Sequence, residues 1–519
     1  MSTSVQRIED LSPLQKRELL SELLQKRADD TASYCPLSCN QQGIWFLYQL
    51  APESSVYNVN FAARITADLD VPALRRAFQT LVDRHPALRT TFPVQLGKPV
   101  QRVHGSRKVH FQEVEGSSWT PEELERRLLE EAYSPFDLER GPLLRVSLVS
   151  RSEREHILLL VVHHIIIDFW SLAIILEELN ILYPAESAGV KAPLPRLESE
   201  YTDYVGWQAE MLAGAEGERL WMYWQKQLGG QLPVLELRTD RLRPAIPTYR
   251  GASHDLTINA EVSFGLKTLS KAHGATLYTM LLAAFQVLLS YHSGQEDILV
   301  GSPMVGRSRP EFEGIVGLFT NPVVLRASLS GNPTFREFLI QVRHTVLDAL
   351  EHQDFPTVLL VERLRRPRDL SRPPLCQVMF VLDKPHNSAQ SGASAFAASE
   401  TGIRINPAGL VLESVPLERR AATLDLVLLV FETQDSLAVS WRYNTDLFDA
   451  ATIAQMSRHY ETLLRGIIQE PTARIDSLKR TLVNADFQHR TSVLRAQKKV
   501  NIQRLTHLKR RAVFTGASE

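Results

Sequence analysis

Two adjacent histidines and a nearby aspartate are the residues of this sequence best suited to proton-transfer chemistry. His163 and His164 follow the largely apolar run 156–162, and Asp168 lies four residues beyond the second histidine. Imidazole is the side chain that most readily accepts and returns a proton near neutral pH. Because neighbouring side chains of a strand point to opposite faces, one histidine of the pair can face a shared site while the other packs inside. The pattern indicates a general base at the end of a buried strand.

Asp168 follows three apolar residues, so we expect it to be buried with a cationic partner, usually an arginine. A His-His pair can also be a buried structural pair whose nitrogens are satisfied by backbone carbonyls. The stretch alone leaves both interpretations open.

Length and composition indicate a globular protein of more than one domain. The chain has 519 residues, of which 44% are hydrophobic and 23% charged, and its formal net charge of −1 points to neither nucleic acid nor a membrane. The three cysteines are too few for a disulfide framework and lack metal-ligand spacing, which fits a reducing cytoplasm. The polar N-terminus is not a secretory signal, and no apolar run is long enough to span a bilayer.

Strand-like and helix-like segments alternate, which predicts an α/β fold. Buried strands are expected at 144–149, 156–162 and 425–432, and helices at 71–85 and 277–292. A segment rich in proline and small residues, 187–200, marks a lobe boundary.

We therefore predict four regions. Residues 1–33 form a helical linker or docking segment, 34–200 an N-terminal lobe with the histidine motif, 201–470 a C-terminal lobe, and 471–519 a basic linker or tail.

Seven segments, in order, resemble the motifs of the condensation domains of nonribosomal peptide synthetases, whose signature is HHxxxDG. Gln42 and Trp45 in the first segment, and His163 to Ser171 in the third, carry much of the match. The segments are PLSCNQQGIWFL (36–47), DRHPALRTTF (83–92), HHIIIDFWS (163–171), YTDYVGW (201–207), VGLFTNPVVLR (316–326), HQDFPTVLLVERL (352–364) and RDLSRPPLCQVMF (368–380). The resemblance covers Tyr34 to about Arg480.

The resemblance implies a fold and an activity. The fold would be a V-shaped pseudo-dimer of two lobes like chloramphenicol acetyltransferase, with a central tunnel holding the histidine motif. The activity would be amide (peptide) bond formation between an acyl thioester donor and the amine of an aminoacyl acceptor. Donor and acceptor carrier proteins would deliver both substrates on phosphopantetheine arms, with no bound cofactor or metal. Adjacent synthetase modules are further partners, and the setting is nonribosomal peptide or hybrid polyketide–peptide biosynthesis in the cytoplasm.

By the same resemblance, His164 is the general base or orients the amine, and His163 is structural. Asp168 and Arg307 would form a buried ion pair that supports the histidine loop, and Arg89 is a scaffold residue. The residues expected to line or brace the tunnel are Phe169, Trp170, Ser171, Asn321 and Gln353.

Two positions depart from the family pattern. Phe169 replaces the glycine that follows the aspartate, so it cannot give the same backbone freedom or space and is expected to narrow the tunnel or shift the accepted acyl group. Pro322 removes a backbone donor after Asn321, a variant similar to condensation domains at polyketide–peptide junctions.

Other functions share parts of this pattern. An epimerisation domain has the same histidine motif, and an HxxxD acyltransferase would use a coenzyme A donor without carriers. A non-catalytic domain would recruit carriers or a tailoring enzyme, and the Phe169 replacement keeps that alternative open. A cyclisation domain is disfavoured because it has DxxxxD in place of the histidine motif.

Overall fold

The computed structural model describes residues 32–365, 369–383, 404–405, 410–433, 435–488 and 491. The segment predicted as an N-terminal linker helix lies almost wholly outside these residues, as does most of the predicted basic tail.

The described chain alternates strands and helices. The strands are β1 (Ser33–Cys35), β2 (Asn58–Thr66), β3 (Thr90–Thr91), β4 (Val94–Gln95), β5 (Lys98–Pro99), β6 (Gln101–Val103), β7 (His110–Glu115), β8 (Leu144–Ser152), β9 (Glu155–His163), β10 (Gly251–Ile258), β11 (Asp297–Met304), β12 (Asn321–Ser328), β13 (Val378–Asp383), β14 (Arg404–Ile405), β15 (Leu412–Ser414), β16 (Leu426–Glu432) and β17 (Leu437–Asn444). The helices are α1 (Cys39–Leu50), α2 (Val71–Arg84), α3 (Pro121–Ala132), α4 (Phe169–Ala188), α5 (Tyr201–Ala213), α6 (Ala215–Leu228), α7 (Ala260–Ala272), α8 (Leu277–Ser293), α9 (Phe335–Glu351), α10 (Thr357–Leu364), α11 (Ala450–Gln469) and α12 (475–488). The predicted strands and helices correspond to β8, β9, β16, α2 and α8, so the α/β interpretation is confirmed.

Local sequence explains where the longer helices begin and end. Asp70 caps the start of α2 by accepting a hydrogen bond from the Ala73 N–H, and Pro72 occupies the first turn, where its missing N–H costs nothing. α8 begins at the Thr276 cap and ends at Gly294, whose φ of 73° is the left-handed conformation that glycine adopts readily.

Two six-stranded sheets organise the two lobes. The first has the order β14-β15-β2-β9-β8-β7, and β9 is buried at every residue from His156 to His163, so both of its faces are covered, which explains its largely apolar sequence. The second has the order β10-β17-β16-β13-β11-β12, and all of its strands follow residue 250. Each sheet packs against helices around its own large apolar core.

The chain crosses between the lobes late in the sequence. β15 pairs antiparallel with β2, placing Leu412 opposite Ile65 and Ser414 opposite Ala63. Leu412 is also buried in the first core. The structure therefore differs from the prediction that residues 34–200 alone form the first lobe, because the segment around β15 completes the first sheet.

The second lobe also extends further than predicted. Leu478 and Leu482, one helical turn apart on α12, are fully buried in the second core. His459 on α11 contacts Asp486 on α12 at 2.7 Å. Residues 471–488 thus belong to the lobe rather than to a tail.

Among the described helices, none on its own has the length and apolarity needed to cross a membrane. α7 and α8 are long and apolar enough only when taken together, and the chain bends by 106° between them.

Candidate active site

The histidine pair lies where β9 ends and the chain turns toward α4. Hydrogen bonds within the sheet hold β9 up to His163, which pairs with Asn58 of β2. A short 3-10 turn, His164–Ile166, then leads to Asp168, the N-cap of α4. The strand end and the helix start therefore fix both sides of the five-residue segment 164–168.

His163 is a packing residue. Its ring is 4% exposed and contacts the rings of Tyr57 and Phe136, with centroids 6.3 and 5.9 Å away. Its Nδ1 accepts a hydrogen bond from the Ile165 N–H at 3.2 Å. Burial, with a smaller effect of the neighbouring His164, lowers the pKa of His163 from 6.5 to about 3. His163 is therefore neutral at physiological pH.

The buried neutral state of His163 makes stability depend on pH. The folded protein keeps His163 unprotonated down to about pH 3, whereas an unfolded chain protonates histidine near pH 6.5. Unfolding therefore takes up a proton between these values, and the free energy of unfolding falls as pH decreases. We expect His163→Asn, whose amide oxygen can still accept from Ile165, to reduce that slope by up to about 1.4 kcal/mol per pH unit. Urea unfolding between pH 4 and 7 checks this, and an unchanged slope would contradict it.

His164 is held so that one ring nitrogen is available. Its Nδ1 lies 2.6 Å from the carbonyl oxygen of Ile167, and its backbone N–H donates to the Tyr57 carbonyl at 2.9 Å. Because a carbonyl only accepts hydrogen bonds, Nδ1 must carry the hydrogen and the neutral ring keeps its lone pair on Nε2. His164 is only half-buried, so Nε2 can accept a proton from a substrate.

Asp168 and Arg307 form the ion pair that was expected from the sequence. The Arg307 guanidinium donates to the carboxylate from Nη1 at 2.7 Å and from Nη2 at 3.2 Å, and both side chains are at most 1% exposed. The Ser171 N–H, at 2.8 Å, and the Phe319 N–H, at 3.1 Å, also donate to it. Burial alone would raise the pKa of the Asp168 carboxyl, but Arg307 and Ser171 outweigh it and hold that pKa below its ordinary value. The pair joins the histidine loop to the second half of the chain.

Ser171 corrects one expectation about the tunnel. Its side chain is fully buried, and its hydroxyl lies 2.7 Å from Asp168 Oδ1 and 2.9 Å from Arg307 Nη2. It also accepts from the Gly317 N–H at 3.0 Å. A hydroxyl enclosed in this way braces the ion pair and does not line a tunnel.

Phe169 and Trp170 occupy the first turn of α4. Phe169 is partly buried and packs against the first core. The Trp170 indole N–H donates to the Glu313 carbonyl at 3.0 Å, and its ring lies 5.8 Å from the Arg307 guanidinium. Lining of a substrate path by these two residues stays a prediction.

Asn321 and Gln353 meet in the second lobe. Asn321 is 4% exposed, and its amide donates to the carbonyls of Gln353 and Phe355, each at 2.8 Å, while its oxygen accepts from the Thr357 N–H. Asn321 therefore braces the loop that precedes α10.

Arg89 is a scaffold residue in the structure. Its guanidinium donates to the carbonyls of Val82, Asp83 and His104 at 2.7–3.0 Å. Two of these carbonyls belong to the last turn of α2, where they lack helical partners, so Arg89 caps that helix end.

A buried polar cluster beside the histidine turn was not predicted from the sequence. The side chain of Gln41, rather than that of Gln42, is buried there, with Ser38, Gln101 and Tyr201. The Tyr201 hydroxyl bonds to Ser38 Oγ at 2.9 Å and to the Leu318 carbonyl at 2.7 Å. Adjacent glutamines in an apolar motif were the available signal, but only the phase of α1 decides which one faces inward.

Gly317 is required by the packing of Tyr201. A Cβ at residue 317 would lie 2.1 Å from the Tyr201 ring, whereas a Cβ at Gly206, in α5, would meet no atom within 4 Å. We expect Gly317→Ala to cost about 1–3 kcal/mol of stability through overpacking. Gly206→Ala, at an exposed position of α5, should be neutral or stabilising by up to about 1 kcal/mol. Thermal unfolding of both variants checks this, and equal melting temperatures would contradict the close approach.

Metal ligation has no support in the described segments, which contain no group of three or more histidine, cysteine, aspartate or glutamate side chains able to hold an ion.

Comparison with known proteins adds to this geometry. Residues 31–487 match the family model described as Condensation domain. One relative is a large polypeptide of the linear gramicidin synthase of Brevibacillus parabrevis. The chain is 43% identical to it over 449 residues, which is 86% of this chain and 6% of that relative. The chain thus spans a small part of the curated relatives it matches.

Solved structures share the fold. The X-domain from teicoplanin biosynthesis superposes with a TM-score of 0.76 at 29% identity, covering 85% of this chain and 96% of that one. That X-domain has also been solved in complex with OxyB. The condensation domain of the Monacolin K polyketide synthase MokA gives a TM-score of 0.73 at 21% identity, over 85% of this chain and 99% of that one. These likenesses confirm the predicted α/β fold of two chloramphenicol-acetyltransferase-like lobes.

Proposed function

Since the chain belongs to the condensation-domain family, we propose that it forms an amide bond between a carrier-bound acyl thioester and the amine of a carrier-bound aminoacyl group. The observation that carries this proposal is the state of His164. Its Nδ1 hydrogen is bound by the Ile167 carbonyl, which leaves Nε2 as a proton acceptor on a half-buried ring.

The reaction needs one proton acceptor and little else from the protein. The acceptor's neutral amine nitrogen attacks the thioester carbonyl carbon, and the C–N bond forms. His164 Nε2 takes a proton from that nitrogen. The C–S bond then breaks, and the proton passes to the departing sulfur, which leaves as the thiol of the donor's phosphopantetheine arm. Atoms and charges balance without an oxidant, a metal or a bound cofactor.

Two physical effects would accelerate the reaction. A well-placed general base contributes about 10²- to 10⁴-fold. Holding both tethered reactants in line contributes as well, because alignment turns an encounter between two molecules into a step within one complex. The buried Asp168–Arg307 pair supports alignment, since it fixes Asp168, the N-cap of α4, four residues after His164.

The substrates and partners follow from the proposed reaction. Donor and acceptor carrier proteins would bring their phosphopantetheine arms to a tunnel between the lobes, in nonribosomal peptide or hybrid polyketide–peptide biosynthesis. Adjacent synthetase modules are further partners. A cytoplasmic location fits the described free cysteines Cys35, Cys39 and Cys376.

A second candidate is a non-catalytic platform that binds a tailoring enzyme. Two observations favour it: the likeness to the teicoplanin X-domain, which was solved with OxyB, and Phe169 at the family's glycine position. The His164 geometry favours catalysis, because a platform has no need for a free imidazole nitrogen.

The experiment that tests the proposal loads one carrier protein with an acyl group and another with an aminoacyl group. Amide product, followed by mass spectrometry, is expected with the wild-type chain. Exchange of the α-hydrogen without amide would indicate an epimerisation domain, and release of coenzyme A from a free acyl donor would indicate a carrier-independent HxxxD acyltransferase. Absence of turnover with any substrate would contradict catalysis and leave the platform.

A further inference from the structure

The start of α1 buries polar side chains, although its sequence is largely apolar. Ser38 caps the helix, and the side chains of Ser38 and Gln41 are each 1% exposed. Buried amides are costly unless all their groups are bonded, so the partners of Gln41 indicate why it is there.

The Gln41 amide is fully bonded, and its partners fix its orientation. Its oxygen accepts from the Ser38 N–H at 3.0 Å, closing the helix cap. Its nitrogen donates to Gln101 Oε1 at 3.2 Å and to the Ile165 carbonyl at 3.1 Å. Since the Ile165 carbonyl can only accept, the NH₂ group must face the histidine turn.

Ile165 lies within the 3-10 turn that begins at His164. On one side, the Tyr57 carbonyl holds the His164 N–H at 2.9 Å. On the other, Gln41 holds the peptide oxygen one residue later. Together these contacts fix the tilt of the turn, and hence the direction in which the His164 ring leaves it.

The same helix turn also contacts the second lobe. The Asn40 side chain donates to the Thr320 carbonyl at 3.0 Å, and Ser38 is bonded to Tyr201, which reaches the Leu318 carbonyl. The segment 318–320 includes Phe319, whose N–H donates to Asp168. The first turn of α1 thus joins segment 318–320 to the His164 turn by a route separate from the Arg307 ion pair.

We propose that Gln41 is a positioning residue for His164, acting through the Ile165 carbonyl. This inference rests on the proposed amide-forming function, because it assigns Gln41 a part in that reaction. A catalytic side chain must be held within about 0.5 Å of its productive geometry. A hydrogen bond to the peptide next to the base is a direct way to hold it there.

The test replaces Gln41 with glutamate, which has the same shape. The carboxylate can still accept from Ser38, but when ionised it cannot donate to Ile165 and places negative charge beside that carbonyl oxygen. We expect kcat to fall about 10- to 100-fold, with KM for both loaded carriers unchanged. Because burial raises a carboxyl pKa and a protonated carboxyl can donate, the ratio of variant to wild-type rate should recover as pH decreases.

Two further variants separate positioning from folding. Gln42→Glu makes the same chemical change one residue later, at an exposed side chain that bonds only locally to the Leu37 carbonyl at 3.2 Å, and should keep wild-type kcat. Gln41→Met removes the donor without adding charge, so it should lower kcat without recovery at low pH. If Gln41→Glu does not fold, Gln41→Met still tests whether the donor to the Ile165 carbonyl is needed.

A readout independent of turnover is the ¹⁵N NMR signal of the His164 imidazole in histidine-labelled protein. Positioning is supported if the His164 signals shift in the folded Gln41 variants but not in Gln42→Glu. This holds even if neither the wild type nor any variant forms amide. That result would contradict the proposed function and leave the positioning role of Gln41 standing. Unmoved signals together with wild-type kcat in the folded Gln41 variants would overturn the inference, whatever their melting temperatures.

Discussion

His164→Ala should form amide about 10²- to 10⁴-fold more slowly than the wild-type chain while remaining folded. The variant removes the nitrogen that the geometry leaves free at the end of β9, Nε2 of His164. A half-buried ring at a strand end contributes little to either core, so the melting temperature should change little. Single-turnover mass spectrometry with two loaded carriers measures the rate, and circular dichroism measures the fold.

His164→Asn is the matched control for this result. The asparagine amide can donate to the Ile167 carbonyl, as Nδ1 does at 2.6 Å, but it offers no basic nitrogen. Loss of rate in both variants supports proton transfer. Restoration of the rate by asparagine would show instead that His164 serves to hold the turn, and equal rates for alanine and wild type would remove it from the reaction.

Arg307→Met should destabilise the protein by about 3–5 kcal/mol, because it leaves the Asp168 carboxylate buried without its cation. The Ser171 and Phe319 N–H groups remain as donors but carry no full charge. In the wild type Arg307 helps to hold the pKa of Asp168 low, so in the variant burial would raise that pKa. In the wild type the stabilisation from this pair is present above the carboxyl's unfolded pKa and is lost as pH falls through the lower, folded value. The acid-unfolding midpoint of the variant should therefore move to higher pH.

A double-mutant cycle with Asp168→Asn isolates the pair. The double variant should recover part of the stability lost in Arg307→Met, because no unpaired charge remains. Arg219→Met is the control at an exposed pair, since Arg219 and Glu216 are 43% and 52% exposed and such pairs contribute about 0–1 kcal/mol. Equal losses from the buried and exposed arginines in urea unfolding would contradict the supporting role of the buried pair.

Local patterns were enough to predict much of the fold. β9 and α8 were predictable because each is set by a continuous run of nearby apolar residues. The pairing of β15 with β2 was not predictable, because β2 lies some 350 residues earlier in the sequence. β15 itself has only three residues, too few to show a strand periodicity. α12 was assigned to a tail because basic residues outnumber acidic ones over 471–519 as a whole and that segment shows little apolar periodicity, although Leu478 and Leu482 share one face.

The candidate site was also predictable only in part. Resemblance to a family pointed to Arg307 as the partner of Asp168, a pairing across 139 positions that no local pattern contains. Ser171 was misassigned because a serine in the first turn of a helix can face solvent or an ion pair, and only packing decides which. Gln41 was overlooked in favour of its neighbour for the same reason, since the difference is about 100° of helix rotation.

The pairing of β15 with β2 has a consequence for the order in which the protein folds during synthesis. At about 5–20 residues per second, the ribosome needs roughly 10–50 seconds to pass from β9 to residue 414. Until then one side of β2 is an open edge, which invites pairing with other chains. A truncation after the histidine motif would carry the same open edge permanently, so aggregation, rather than an isolated working half, is its expected fate.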